Sequence, residues 1–354
     1  METTEYLLPP DAYYSDEWFE REQRLLFGHT WHLVCSAHEV AEPGDYATID
    51  AGHDPLFVVR GLDGRLEAFH GLCPHRGIQL LEGIGNTRAG ISCPYHAWNF
   101  SLEGELRNVP QPEQFPDLDL ASCSLARAGV GEWGGNVFLH PDPAAGSLAD
   151  WLGGFPAGIG SFRPDELTQV VRFQLPAATN WKFFVENHVD VYHLWYLHSR
   201  TLGDFDHNRF EWEQIGRHWV SYEPSKVGER KRRPAAGTKS VSHIHDRDRD
   251  GIGAHALFPN ILMASEAEYF VTYVAVPVGP EKMELDIRVR AEPGADPEAI
   301  QKGVEAFVRE DIAACEAIQR GVRSSRYRVG PMAQQHERPI TTFQQHLIEI
   351  VGEA

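Results

Sequence analysis

Two short stretches, "CPHRG" at residues 73–77 and "CPYHAW" at 93–98, constrain this chain more than anything else in it. Each carries one thiol and one imidazole: Cys73 and His75, then Cys93 and His96, spaced Cys-x-His-x17-Cys-x2-His. Two thiolates and two imidazoles suit zinc, but structural zinc more usually takes Cys-x2-Cys pairs, alone or with His-x3-His. One Cys and one His per loop suits a two-iron, two-sulfur cluster, with both thiolates on one iron and both imidazoles on the other. Imidazole is a neutral donor where cysteine would be anionic, so such a cluster has a raised potential. Pro74 and Pro94 stiffen the two loops. Gly77 is expected to permit close backbone approach. Cys35, Cys123 and Cys315 have no comparable partners and read as buried apolar thiols.

The surrounding sequence has the texture of a small all-β module. From 30 to 145, short alternating runs such as "PLFVVRG" and "GNVFLH" are separated by Gly, Pro and Asp, with hairpin tips predicted at 62–64 and 102–104. The Pro-, Gly- and Ala-rich stretch 140–160 reads as a connection between domains. Before the module, Ser15 offers an N-cap to an amphipathic helix over 14–27. Beyond it, strands are predicted at "TQVVRFQLPA", "HWVSYEP", "GIGAHALFPNILMAS", "EYFVTYVAVPVG" and "KMELDIRVRAEP". Helices are predicted at about 180–198, from Pro297 to Arg323, and near 340–352. The pattern implies an α+β fold. One domain spans 30–145, and the other combines 1–29 with 146–354. The polar stretch 228–240 reads as a mobile loop.

Charge and cysteine usage narrow the function classes. A net charge of −19 repels nucleic acid and anionic lipid. Five cysteines make no disulfide framework, which points to a reducing cytoplasm. No run of eighteen apolar residues suggests a membrane span, and the acidic start has no secretory pattern.

A second cluster of donors lies in "NWKFFVENHVDVYHLWYLHS", 180–199, which holds Glu186, His188, Asp190, His193 and His198. On a helix, Asp190 and His193 would share a face. His193 and His198 would sit about 140° apart, so the helix must end, distort or widen between them, a π-bulge being one device. Two histidines and a distant carboxylate make the facial triad of non-heme iron(II) oxygenases. Glu310 and Asp311, on the C-terminal helix, are the candidates for the carboxylate. Glu186 reads either as a partner of the ligands or as a buried helix acid, and His188 as structural. His243 and His245, in "HIHD", are expected in a cavity wall or in solvent rather than on a metal. Without a glycine-rich dinucleotide fingerprint, nicotinamide oxidation falls to another protein.

Taken with the first constellation, Asp190-x2-His193-x4-His198 after "NWK" resembles the Rieske non-heme iron ring-hydroxylating oxygenases, α subunit. The tail "CEAIQRGVRSSRYRVGPMAQQHERPITTF" is similar to the branch of choline- and glycine-betaine-type monooxygenases. The resemblance implies a helix-grip, START-like catalytic domain beside a Rieske domain. It gives Cys73, His75, Cys93 and His96 to the [2Fe-2S] cluster, and His193, His198 and Asp311 to a mononuclear Fe(II). It makes Asp190 the bridge that takes electrons from His96 of a neighbouring subunit in a head-to-tail homotrimer. It also implies O2, a small organic substrate, and electrons from NAD(P)H through a separate reductase, with or without a ferredoxin. Hydroxylation or oxidative demethylation is the favoured reaction, with arene cis-dihydroxylation the alternative. A Rieske electron carrier would explain the first constellation alone. A quaternary ammonium substrate would want an aromatic cage, for which Trp181, Trp195, Tyr196, Trp219, Tyr269 and Tyr273 are available.

Overall fold

Strand-forming runs punctuated by glycine build three small sheets within residues 22–151 of the computed structural model, which describes residues 7–226 and 238–352. The first orders Leu66–His70, Asp54–Arg60, Asp45–Ala51 and Ile84–Asn86. The second orders His32–Ser36, Asn136–His140 and Gly129–Trp133, and the third Ile91–Ser92, Asn99–Phe100 and Leu106–Asn108. Both predicted hairpin tips are present, with Gly64 and Gly104 at φ of +83° and +87°. A Cβ on Gly104 would also lie 2.3 Å from the Phe69 ring, so the second tip needs glycine for space as well as for φ. Cys73 and Cys93 are buried in one apolar cluster with Phe57, Phe69, Trp98 and Phe100. That packing holds the two thiol-bearing turns on a rigid base.

The second compact unit comprises the N-terminal segment to Arg21 and residues from Leu152 onward. Seven antiparallel strands run in the order Thr168–Ala177, Lys282–Ala291, Tyr269–Gly279, Ile261–Ser265, Gly251–Leu257, His218–Pro224 and Glu211–Ile215. The helices Trp181–Val189 and Pro297–Val322 pack on each other and against this sheet, giving the α+β architecture expected. "GIGAHALFPNILMAS" is a hairpin rather than one strand. Pro259 has no N–H to continue a ladder, and the chain turns there between Leu257 and Ile261. The long helix starts as its sequence dictates, with the Asp296 side chain accepting from the N–H groups of Glu298 and Ala299 and Pro297 in the first turn. Among the described residues, no helix is long and apolar enough to cross a membrane. Residues 228–237 of the polar stretch fall outside the described residues.

Candidate active site

The two Cys/His turns are near copies. Gly77 N–H donates to Cys73 O at 2.8 Å, and Ala97 N–H to Cys93 O at 3.0 Å. Cys73 N–H donates to Ile78 O, and Cys93 N–H to Trp98 O. The fifth residue of each turn is left-handed, Gly77 at φ +73° and Ala97 at +56°. Gly77 suits its position through its positive φ, and no described protein atom lies within 4 Å of a Cβ built there.

The imidazoles of His75 and His96 lie 4.7 Å apart, centroid to centroid, with His75 stacked on Trp98 and His96 stacked on Tyr95. Both Nδ1 atoms are buried and have no hydrogen-bond partner among the described residues. Buried ring nitrogens rarely go unpartnered in a native fold. On the same turns, burial pushes the Cys73 thiol up and Cys93 adds to the shift, while the His75 and Arg76 N–H groups oppose it. Two orphaned imidazole nitrogens and two interacting buried thiols are the donor set that a [2Fe-2S] cluster satisfies. Cys35 and Cys315 are buried as expected. Cys123 is only half-buried, because it closes the exposed 3-10 turn Ala121–Cys123.

The second site forms where a helix stops. Trp181–Val189 begins at Asn180, whose side chain accepts from Lys182 N–H, and ends at Asp190, which has extended backbone with ψ of 121°. Asp190 Oδ1 accepts the N–H of Tyr192 at 2.6 Å, a side-chain turn that diverts the chain. A 3-10 turn, Tyr192–Trp195, follows. The continuous helix predicted over 180–198 is therefore broken after Val189, and Asp190 meets His193 through a turn rather than along a helix face. No π-bulge is involved. The break brings His193 and His198 together, with ring centroids 5.2 Å apart.

Asp311 arrives from the helix Pro297–Val322, on the buried stripe that also carries Val304, Val308, Ile312 and Cys315. One ligand atom each from His193, His198 and Asp311 lies within 4.8 Å of the others. Each histidine is held from behind. His193 Nδ1 donates to Asp190 Oδ2 at 3.1 Å, and His198 Nδ1 donates to Glu310 Oε2 at 3.0 Å. A carboxylate only accepts, so both ring protons sit on Nδ1. Both Nε2 atoms then turn to Asp311 Oδ1, at 3.7 Å from His193 and 2.7 Å from His198. Burial opposes a charged His193, yet Asp190 and Asp311 together raise its pKa. The pocket between these groups favours positive charge, as a site for a divalent cation should. Of the two candidate acids, Asp311 faces the cluster, while Glu310 orients His198.

Behind the triad lies a cavity of about 350 Å³. Phe184, Asn187 and His188 line it from one face of Trp181–Val189, as spacings of three and four residues require. His188, expected to be structural, also lines this cavity. Burial lowers its pKa to about 4, and it contacts His255 O. Of the six candidate cage aromatics, Tyr269 and Tyr273 reach the cavity. Trp181 and Trp219 pack on Phe343, Trp195 on His207 and His336, and Tyr196 is 86% exposed. Glu186 is a buried anchor accepting from Tyr13 OH and Gln344 Nε2. His243 Nε2 accepts from Arg163 N–H, and neither His243 nor His245 lines this cavity.

Sequence reasoning missed three residues here. Phe307 stacks on His198 at 4.1 Å and stands four residues before Asp311 on one helix, a spacing that could have found it. Glu223 alternates with Trp219 and Ser221 on one strand face and is bonded to buried His207. Glu266, at a hairpin tip, gave no signal.

Paired thiol–imidazole turns on one unit, and two histidines with one carboxylate on the other, are the equipment of non-heme iron oxygenases fed through a Rieske centre. Residues 30–124 match the Rieske [2Fe-2S] domain, and residues 164–353 match the ring hydroxylating alpha subunit (catalytic domain). The chain belongs to this family, as a Rieske ring-hydroxylating oxygenase α subunit. It is 30% identical over 329 residues to the carnitine monooxygenase oxygenase subunit of Escherichia coli (strain K12), covering 90% of this chain and 85% of that one. It is 27% identical to the chloroplastic choline monooxygenase of Beta vulgaris, over 95% of this chain and 75% of that one. Among solved structures, a quaternary ammonium Rieske monooxygenase bound to an inhibitor superposes with a TM-score of 0.83 at 25% identity, covering 97% and 95% of the two chains. The protein is thus an oxygenase rather than a simple electron carrier, which would have no use for the second match.

Proposed function

We propose that this terminal oxygenase acts on methylated ammonium compounds, by hydroxylation or oxidative demethylation, with electrons from a separate NAD(P)H-dependent reductase. The observation that carries this reading is the cavity. It joins the His193, His198 and Asp311 cluster to a wall of Tyr269, Tyr273 and Phe307 with Glu266, surfaces that attract a cation. The carnitine and choline monooxygenases to which the chain is similar support the same class.

In this reading Cys73, His75, Cys93 and His96 hold the [2Fe-2S] cluster, and His193, His198 and Asp311 hold the iron. Bound iron supplies dioxygen activation, and the Rieske cluster supplies single electrons. The protein's own residues do the positioning. Asp190 and Glu310 fix the ring protons of the two histidines, which leaves both Nε2 lone pairs for the metal. The buried aromatic wall excludes water and holds the methyl-bearing end towards the cluster. The balance is fixed by the products. One oxygen atom enters a C–H bond and the other leaves as water, consuming two electrons and two protons. A hydroxylated N-methyl group then breaks its C–N bond, releasing formaldehyde, the amine and a proton.

Asp190 also serves as the bridge to a neighbouring subunit's Rieske centre, in a homotrimer. The Rieske domain is assigned to 30–145, and the catalytic domain to 1–29 with 146–354. Five cysteines without a disulfide support a cytoplasmic home. The test is turnover of the reconstituted enzyme with reductase, NADH and a panel of methylated amines and aromatic acids, with products read by mass. Formaldehyde or a single added oxygen from an amine supports the reading. Two oxygens added to an arene, with no amine turned over, overturns it.

A further inference from the structure

In a helix continued past Asp190, Val191 N–H would bond to Asn187 O. It donates instead to His336 O at 3.1 Å, a residue from far along the chain. The His336 ring makes a second link. Its Nε2–H donates to His207 O at 3.1 Å, since a carbonyl only accepts. The ring also packs edge-on to Trp195, with centroids 4.9 Å apart and planes at 82°. Trp195 closes the 3-10 turn that carries His193, and it meets the His207 ring as well, at 5.4 Å and 77°. His336, Trp195 and His207 therefore form one cluster, with the Phe210 ring 6.2 Å from that of His336.

This cluster touches both halves of the site. Val191 and Trp195 stand two residues either side of His193, on the turn that follows Asp190. His207 Nδ1 is bonded to Glu223, which lines the cavity. A single 3-10 turn makes few internal hydrogen bonds, so contacts from outside decide where its side chains aim. The anchor that supplies them is firmly held. Ala333 N–H donates to Glu337 Oε2, and Glu337 N–H donates to Ala333 O at 3.1 Å, so a closed turn sets the direction of His336. The helix Arg338–Val351 follows at once, with Phe343 and Leu347 buried. Most of 324–335 is exposed, whereas His336 and Glu337 are half-buried. The segment thus comes down on the site at these two residues.

We propose that His336 is a positioning residue for the iron site: it fixes the turn that aims Asp190 and His193, so that iron binding and the order of the segment 331–337 are coupled. This rests on the iron assignment above and deepens it. The metal cluster itself is His193, His198 and Asp311, so His336 acts through Val191, Trp195 and His207. The coupling is reciprocal. Whatever factor the docked segment adds to iron affinity, bound iron adds to the docking of the segment.

The test is hydrogen exchange, read by mass spectrometry, on the full chain with its Rieske cluster intact. Exchange is compared with ferrous iron bound and after its removal by a chelator. Peptides covering 190–195 and 331–337 should both exchange about fivefold or more slowly with iron bound. Unchanged exchange at 331–337 overturns the proposal and leaves the iron assignment standing. A wild-type chain that takes up no ferrous iron overturns both. Two variants then separate positioning from general stability. His336→Phe keeps a ring against Trp195 and removes the donor to His207 O. It should release iron about three- to tenfold more readily, and it should alter the EPR spectrum of the ferrous site treated with nitric oxide. His336→Gln keeps an N–H donor and should restore both, iron release to within about twofold. Equal losses in the two variants overturn the role of the hydrogen bond to His207. A lowered Tm in His336→Phe, with iron retention and the nitric oxide spectrum unchanged, would make His336 merely structural. The wild-type comparison needs no variant, so a misfolded variant leaves the proposal exposed to refutation.

Discussion

Exchanging a carboxylate for its amide should be mild at Glu310 and severe at Asp190, although each side chain orients one histidine of the cluster. Glu310 serves one donor, His198 Nδ1 at 3.0 Å, from a side chain that is 46% exposed. Glutamine still offers an oxygen to that proton. Glu310→Gln keeps the His198 tautomer and loses a screened charge, about 0–1 kcal/mol. Asp190 serves two donors with its two oxygens, Tyr192 N–H at 2.6 Å and His193 Nδ1 at 3.1 Å. Asparagine has one acceptor oxygen, so one donor must face an NH2 group. If that donor is His193, its proton moves to Nε2, the atom needed for the metal. If it is Tyr192, the turn carrying His193 loosens. Either loss removes a hydrogen bond to a charged acceptor, about 1.5–3 kcal/mol, or about 10- to 150-fold. The assay is iron retention against a ferrous chelator, with the visible absorbance of the Rieske cluster as internal standard, alongside coupled turnover. Asp190→Asn should yield its iron about 10–100-fold more readily, and Glu310→Gln within about threefold. Equal iron loss in the two variants refutes the donor count. Iron fully kept with turnover lost would assign Asp190 to electron transfer alone.

Other outcomes test the Rieske unit and the thiols. His32 is buried with its pKa lowered to about 4, against 6.5 unfolded, so the unfolded chain takes up the extra proton between those values. Its contribution is flat above pH 7 and falls as pH drops through 6.5, by about 2 kcal/mol at pH 5. The acid-side decline in Tm, followed by bleaching of the Rieske absorbance, should be shallower in His32→Gln, with His29 and His140 as its titratable neighbours in both proteins. Gly77→Ala should cost about 1–2 kcal/mol in the same assay, because the residue at φ +73° would gain a Cβ. Ala97→Gly, at φ +56°, should be neutral or slightly stabilising, and a marked loss would mean that the two turns are not equivalent. A thiol reagent added to native holoenzyme should label Cys123 and spare Cys35 and Cys315, as peptide mass mapping would read. Labelling of Cys315 before unfolding would contradict its burial.

The donors of both sites were legible because their chemistry conflicts with their surroundings. Glu310 and Asp311 were both open as the carboxylate until the family resemblance singled out Asp311, and burial beside Val308 and Ile312 is affordable for an acid only with a partner or a metal. Cys73 and Cys93 repeat with histidines at short spacings that neither a helix nor a strand period explains. The cavity was much less legible. Trp181, Trp219 and Tyr196 looked like cage residues by type, but a sheet face and a helix stripe decide direction, and these three point elsewhere. Glu266 lies at a hairpin tip, where an acid normally means solvent, and only the tertiary packing of Tyr269 and Tyr273 turns it into a cavity wall. Spacing reports neighbours within one element, whereas this cavity is lined from several.

The end of the helix at Asp190 shows why local pattern could raise the problem of the site but not solve it. Helical geometry requires that His193 and His198 diverge, so something had to give between Val189 and His198. What gave was decided by one side chain used twice. Asp190 Oδ1 captures the Tyr192 N–H, which stops the helix, and Oδ2 captures the His193 proton that the new turn presents. Had the helix continued, the Tyr192 N–H would have bonded within the helix, and the Asp190 carboxylate would have had the His193 ring alone to hold. Chain reversal and ligand orientation are therefore one structural event at this position. The oxygen that holds the turn and the oxygen that holds the ring are fixed on one carbon, which couples the path of the backbone directly to the aim of the metal ligand.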